Sequence, residues 1–195
     1  MNRFSRILSL LSVLMLILSA TAFSAEPARY TRTVHDYIVP DVVLINENGE
    51  HVRLKELLSP DQPVVVDFIY GTCTTICPVL SAGYTHLQRK LGADSASAKL
   101  VSISIDPEHD TPAVMKEYLK RYRAKPGWTF LTGSRKDIDK VMTAFDAYIT
   151  DKMSHQPLTF IHNPAEGHWV RLFGLLSGKD FMSEYQNAGA NITGR

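Results

Sequence analysis

The segment that most constrains the fold is residues 63–71, which read PVVVDFIYG. A run of apolar and β-branched residues like this is typical of a strand that is buried on both faces. Such a strand has to lie inside a sheet that other elements cover on both sides. The sequence therefore predicts a layered α/β domain built around this strand.

Further strands and helices alternate along the chain, which favours a mostly parallel central sheet. The candidate strands KLVSISID and WTFLTG each precede a helical pattern, with Thr111 and Ser134 as the predicted N-caps. A β-hairpin is predicted around residues 46–49, and LTFIHN with HWVRLFG predicts another, followed by a last helix. We predict one domain over residues 28–187, with a central mixed β-sheet flanked by helices and an N-terminal β-hairpin.

The first 25 residues have the pattern of an export signal. Arg3 and Arg6 precede an apolar run over residues 7–20, and small residues follow it. The run is shorter than the roughly 20 residues that span a bilayer. We expect a cleaved signal peptide and a soluble, periplasmic mature protein, the alternative being a membrane anchor formed by an uncleaved N-terminal segment.

Charge excludes one class of function. The formal net charge is +1, and removal of residues 1–25 takes away two arginines and no acidic residue, which leaves −1. A nucleic-acid-binding protein carries dense Lys and Arg patches, and the sequence has none. We expect no nucleic-acid partner and a monomeric protein.

The strongest chemical signal is GTCTTICP, residues 71–78, because it holds both cysteines of the chain, Cys73 and Cys77. They lie where the buried strand ends and a helix over residues 78–91 is predicted to begin. Amides and the dipole of a helix N-terminus favour thiolate over thiol. A disulfide that closes so short a loop stabilises a fold little. The pair is therefore predicted to be redox-active or metal-binding, although small buried cysteines that only pack are the competing interpretation.

A metal site would need a third ligand, and spacing alone does not select it. His155 precedes the predicted strand LTFIHN and would face the Cys loop if that strand runs antiparallel to the Cys strand. His86 lies about 13 Å along the helix from Cys77, which is too far. The other histidines lack a supporting motif or are expected at the surface: His35, His51, His109, His162 and His168.

Several stretches resemble landmarks of the Sco/SenC family of thioredoxin-like copper-binding proteins, which are cytochrome oxidase assembly factors. They are CxxxCP at residues 73–78, SIDPxxDTP at 104–112, GWTFLTG at 127–133, and His155 before a strand that ends in Asn163-Pro164. The resemblance covers nearly the whole mature chain and implies a thioredoxin-like fold. It also implies one copper ion per chain, with Cys73, Cys77 and His155 as ligands. Two thiolates and an imidazole suit Cu(I) and permit Cu(II) with a further weak ligand, whereas structural zinc usually has four protein ligands.

Two residues near the predicted site leave alternatives open. A role for Asp106 beside the metal ligands and a role in the turn with Pro107 explain its position equally well. Pro157 stands two residues after His155, where thioredoxin-like oxidoreductases carry a cis-proline. A cis Gln156–Pro157 bond would shape the site for disulfide exchange more than for metal capture.

The resemblance implies a chaperone that delivers copper, or reducing equivalents, to the copper-site subunit of cytochrome c oxidase. Other copper donors or thiol-reducing proteins would be its further partners. The alternative is an exported thiol-disulfide oxidoreductase in which Cys73 and Cys77 reduce a partner and His155 tunes them. A thiol peroxidase fits less well, because the motif is CxxxCP and not a single peroxidatic cysteine.

Export predicts that the protein isolated from its native host lacks about its first 24 residues and is found in the soluble fraction. Mass spectrometry of the intact protein measures this directly. An intact Met1 in the membrane fraction would contradict the prediction.

Overall fold

The computed structural model describes residues 29–59, 61–96 and 98–189. The predicted signal segment, residues 1–25, lies outside the described residues. Among the described helices, none has the length and apolar character needed to cross a membrane.

The described residues form one eight-stranded sheet with helices on both faces. The strands are β1 Tyr30–His35, β2 Val43–Asn46, β3 His51–Arg53, β4 Val64–Ile69, β5 Lys99–Ser104, β6 Trp128–Thr132, β7 Leu158–Asn163 and β8 His168–Gly174. The helices are α1 Leu54–Leu57, α2 Cys77–Leu91, α3 Pro112–Arg121, α4 Arg135–Ala144 and α5 Gly178–Asn187, with 3₁₀ turns at Gly92–Ala96 and Lys152–Ser154.

The strand order is β1-β8-β7-β4-β5-β6-β2-β3. Only β4, β5 and β6 are parallel, because helices α2 and α3 carry the chain back between them. Both flanks are antiparallel. The mixed sheet and the N-terminal hairpin of β2 and β3 are confirmed, but the expectation of a mostly parallel sheet is wrong. Tight turns, which can join only antiparallel strands, connect β2 to β3 and β7 to β8.

Strand β4 is buried along its whole length, as its composition predicts. On one face, Phe68 packs its ring against Phe145 and Phe160, with centroids 5.9 and 5.7 Å apart. On the other face lies α2, whose Tyr84 packs against Trp128 of β6 at 5.1 Å. Aromatic contacts therefore anchor the central strand on one face and fasten α2 to the sheet on the other.

The predicted helix boundaries are confirmed by their caps. The side chain of Thr111 accepts a hydrogen bond from the Val114 amide, and that of Ser134 accepts one from Asp137. Both satisfy backbone donors that a helix start leaves free. Gly92 caps the end of α2, and its φ of 59° lies in the left-handed region that glycine adopts without strain.

Strand β1 has no counterpart in the sequence prediction. It pairs antiparallel with β8 over residues 30–35, at the edge of the sheet. Its inner residues are exposed, so no apolar alternation marks the strand. Side chains fix it instead, since the Tyr30 hydroxyl and the Arg32 guanidinium both donate to the Glu184 carboxylate of α5, at 2.8 and 3.1 Å.

A carboxyl group lies inside the central strand. Asp67 of β4 is fully buried. Burial raises the pKa of this carboxyl to about 7, and the side chains of Ser102 and Tyr84 oppose the shift only in part. Neither makes a hydrogen bond of normal length and angle to the carboxylate oxygens. The Asp67 carboxyl therefore binds its proton more tightly in the folded protein than in the unfolded chain.

The Asp67 pKa predicts a pH dependence of stability. Because the folded state binds this proton more tightly than the unfolded state, the free energy of unfolding falls as the pH rises from about 4 to 7. Between pH 5 and pH 7 the Asp67 contribution should fall by about 2 kcal/mol. Asp67→Asn should remove this part of the dependence in urea denaturation at the two pH values. Asp36→Asn, which changes an exposed carboxylate, serves as control. If Asp67→Asn leaves the slope of the unfolding free energy against pH unaltered, Asp67 does not titrate with folding.

Candidate metal centre

The two cysteines lie at the junction between β4 and α2. The Cys73 amide donates to the Tyr70 carbonyl at 3.2 Å, which turns the chain as it leaves the strand. Cys77 is the first residue of α2, and its amide donates to the Cys73 sulfur at 3.5 Å. The first turn of the helix therefore brings the sulfur of Cys73 to its N-terminus, as the motif predicts.

His155 approaches the cysteines from the loop that precedes β7. Strand β7 runs antiparallel to β4, with Thr159 opposite Asp67, so the beginning of β7 lies beside the end of β4. His155 Nδ1 is 3.6 Å from Cys77 Sγ. One potential ligand atom from each of Cys73, Cys77 and His155 lies within 4.8 Å of the other two. The sequence predicts that His155 faces the cysteines only if its strand runs antiparallel to the Cys strand. The pairing of β7 with β4 meets this condition.

The donor atoms fit a soft metal ion. Both cysteines are free thiols, with Cys77 fully buried and Cys73 7% exposed. The ring nitrogens of His155 are available to coordinate a metal ion. Nδ1 faces the Cys77 sulfur, and Nε2 is buried without a hydrogen-bond partner in the structure. Two sulfurs and one nitrogen at this separation match the preference of Cu(I).

The protonation states of the three groups differ. Burial opposes ionisation of Cys73, but hydrogen bonds from Cys77 and Thr75 together outweigh it and lower the Cys73 pKa to about 7. Burial, and then the hydrogen bond with Cys73, raise the pKa of Cys77. Burial lowers the pKa of His155, which keeps the imidazole neutral. The expectation that a helix N-terminus would favour both thiolates therefore holds for Cys73 alone, because Cys77 is shut away from water.

Asp110 holds the loop that carries Cys73. Its two carboxylate oxygens each accept a hydrogen bond from the Gly71 amide at 3.1 Å, and Oδ2 accepts another from the Ser104 hydroxyl at 2.5 Å. A Cβ atom at residue 71 would lie only 2.7 Å from Asp110 Oδ1. Sequence reasoning did not single out Asp110 as a site residue, although it lies within the SIDPxxDTP stretch.

Tyr70 joins the site to the loop before β7. Its ring packs edge-on against His155 at 6.1 Å, and the ammonium of Lys152 lies 5.4 Å from its ring centroid. Its hydroxyl donates to Met153 Sδ at 3.7 Å. Burial, and then interaction with Cys73, raise the Tyr70 pKa to about 12, so the phenol stays protonated.

Asp106 makes its contacts away from the sulfurs. Its carboxylate pairs with Lys152 at 2.5 Å and with His109 at 2.9 Å. Its carbonyl accepts the amides of His109 and Asp110. In the part of the chain that the structure describes, no hydrogen bond joins Asp106 to the three candidate ligands. The structure thus places it in the turn and in an ion pair that anchors the 3₁₀ turn at Lys152–Ser154.

The other sequence candidates lie apart from the cluster. His86 accepts a hydrogen bond from Arg89 on α2, and His109 pairs with Asp106. The expectation that His162 and His168 are surface residues is only partly right. His162 is half-buried with its ring 5.0 Å from that of Trp169, and the His168 side chain is 18% exposed. The described residues contain no cis peptide bond, so Gln156–Pro157 is trans.

The sequence of the chain is similar to one family model and to several known proteins. The SCO1/SenC family model matches residues 31–184. A SCO1 protein homolog from Bacillus subtilis is 32% identical over 137 residues, which cover 66% of this chain and 70% of the relative. Protein SenC from Rhodobacter capsulatus is 28% identical over 123 residues, or 63% of this chain and 54% of the relative.

Solved structures show the same likeness. BsSco, a member of the Sco family of cytochrome c oxidase assembly proteins with a disulfide switch, is 28% identical with a TM-score of 0.66 over 81% of this chain and 96% of its own. ScoI from Bradyrhizobium japonicum, solved with copper bound, is 28% identical with a TM-score of 0.64 over 77% of this chain and 99% of its own. The predicted thioredoxin-like fold is confirmed by these neighbours.

The difference between the two thiols predicts selective alkylation. Iodoacetamide reacts with the thiolate form of cysteine. In the reduced, metal-free protein it should therefore modify Cys73 at a rate that is half-maximal near pH 7. Cys77 should react at least about tenfold more slowly. Peptide mass mapping across pH 6 to 9 locates the label. Cys73→Ser, the control, should leave a nearly unreactive protein, and equal labelling of both cysteines would refute the assignment.

Proposed function

The chain belongs to the SCO1/SenC family, and on that premise we propose that it is a copper chaperone. It binds one copper ion per chain through Cys73, Cys77 and His155. It passes copper, or reducing equivalents, to the copper-site subunit of cytochrome c oxidase during assembly. The observation that carries the proposal is the convergence of two thiol sulfurs and one imidazole within 4.8 Å.

The donor set favours copper over zinc. Within the described residues, only one cluster of three or more His, Cys, Asp or Glu side chains could hold a metal ion. It consists of Cys73, Cys77 and His155. Structural zinc usually has four protein ligands, whereas Cu(I) is satisfied by two soft sulfurs and a nitrogen. The copper-bound structure of the Bradyrhizobium japonicum relative supports the same choice.

The protonation states suit stepwise capture of the ion. Cys73, whose pKa is about 7, offers a thiolate near neutral pH. Cys77 retains its proton until a metal ion displaces it, and burial keeps the His155 imidazole neutral and able to coordinate. Copper binding should therefore release thiol protons and depend on pH.

Delivery to cytochrome oxidase rests on family membership and on access. BsSco is described as a cytochrome c oxidase assembly protein. Cys73 is the one thiol with any exposed surface, which makes it the cysteine of the pair that a partner would reach first. We place this exchange in the periplasm, after removal of the export signal that residues 1–25 encode.

A thiol-disulfide oxidoreductase is the second candidate. The lowered pKa of Cys73 and the neighbouring free thiol of Cys77 favour it, as does the disulfide switch of BsSco. The trans Gln156–Pro157 bond, in contrast, lacks the cis-proline geometry expected of a disulfide-exchange site.

His155→Ala separates the two candidates. As a copper ligand, His155 completes a three-coordinate site, so its loss should weaken Cu(I) affinity at least tenfold, or about 1.4 kcal/mol. Competition with a chromophoric chelator measures the affinity, and thiol-disulfide exchange with a model disulfide is measured on the same samples. His51→Ala, which alters an exposed histidine of the edge strand β3, is the matched control and should leave both quantities unchanged.

Two results would count against the chaperone. Unchanged copper affinity in His155→Ala, together with much slower exchange, would favour the oxidoreductase. Equal copper binding by the protein with Cys73 and Cys77 oxidised to a disulfide would contradict a thiolate site, because a disulfide offers no thiolate.

A further inference from the structure

Met153 is a methionine that the fold holds at the surface. It is 73% exposed, whereas Met115 and Met142 are buried and Met182 on α5 is half-buried. Among the described residues it is the one exposed methionine. An apolar side chain in such a position gains little from burial, so packing does not explain it.

The thioether of Met153 is oriented by Tyr70, a neighbour of the candidate metal centre. The protonated hydroxyl of Tyr70 donates to Met153 Sδ at 3.7 Å. The same tyrosine packs its ring edge against His155 at 6.1 Å, and its carbonyl accepts the Cys73 amide at 3.2 Å. Tyr70 thus links the sulfur of the exposed residue Met153 to two of the three candidate ligands.

One short turn fixes Met153 and His155 together. The Met153 amide donates to the Asp151 carboxylate at 2.9 Å, and the His155 amide donates to the Lys152 carbonyl at 3.2 Å. The ion pair of Lys152 with Asp106 ties this turn to the loop after β5. That pair also compensates the charge of Lys152, the chain neighbour of Met153, whose ammonium would otherwise repel a cation.

The metal centre itself is nearly closed. Cys77 is fully buried and Cys73 is only 7% exposed. An ion that arrives from solvent or from a donor protein meets the rim of the site before it meets these sulfurs. Met153 supplies a sulfur at that rim.

We propose that the Met153 thioether is a transient ligand that receives Cu(I) at the rim and passes it to Cys73, Cys77 and His155. This inference rests on the proposed copper function. A thioether is a soft, neutral ligand that suits Cu(I) and needs no deprotonation. The ion changes ligands without a change in oxidation state, and the thiol protons leave to solvent as the thiolates bind. Met153 is absent from the final set of three ligands.

A transient ligand affects rates and leaves the equilibrium unchanged. Met153→Leu keeps an apolar side chain of similar size and removes only the sulfur. Loading of the reduced protein from the Cu(I)-bathocuproine disulfonate complex, followed by stopped-flow absorbance, should be at least threefold slower than in the wild type. The dissociation constant at equilibrium should stay within twofold. Met182→Leu, the matched control, should change neither quantity.

The outcomes separate this inference from the copper function. If the wild type binds Cu(I) and Met153→Leu loads at the wild-type rate, the role of Met153 is wrong and the chaperone stands. Weaker equilibrium binding at an unchanged loading rate would also overturn it. Failure of the wild type to bind Cu(I) would overturn the copper function and this inference with it.

A second measurement tests Met153 without the thiols. In a Cys73→Ser/Cys77→Ser variant with methyl-labelled methionine, Cu(I) added in acetonitrile-containing buffer should shift the Met153 methyl resonance and leave that of Met182 in place. Equal shifts of both methyls, or none at Met153, would contradict the proposal.

Discussion

The antiparallel pairing of β7 with β4 is the interaction on which the metal centre depends. It places the start of one strand beside the end of the other, so His155 and Cys77 meet although 78 residues separate them. A register shift of one residue would turn every side chain of β7 to the opposite face of the sheet. The buried contacts of Phe160 with Phe68 and Phe145 oppose such a shift.

The parallel pairing of β4 with β5 secures the other half of the centre. Ser104 at the end of β5 and Asp110 in the following loop form a hydrogen-bonded pair, and Asp110 receives the Gly71 amide. The loop after β5 therefore holds the loop after β4. The same loop contributes Asp106, which binds Lys152 beside His155, so one polar loop steadies both sides of the site.

Burial then decides how the centre behaves chemically. Two thiols four residues apart differ in ionisation because Cys77 lies inside the protein while Cys73 accepts hydrogen bonds at its boundary. A deeply placed thiol resists ionisation without a metal ion, and a boundary thiol provides the point of access. Tyr70 lies between this boundary and the exposed Met153. The fold thus gives the site a closed interior and a sulfur-bearing rim.

The sequence by itself determined the local elements: the buried strand β4, the caps at Thr111 and Ser134, and the cysteines at a strand-to-helix junction. These follow from neighbouring residues, whose apolar periodicity and capping chemistry act over a few positions. Only the tertiary structure decided that β1 joins the sheet, that Asp67 is a buried acid and that His155 reaches the sulfurs. It alone also separated the two thiol pKa values and placed Met153 at the rim. Each of these depends on burial, or on contacts between residues far apart in the chain, which local patterns do not encode.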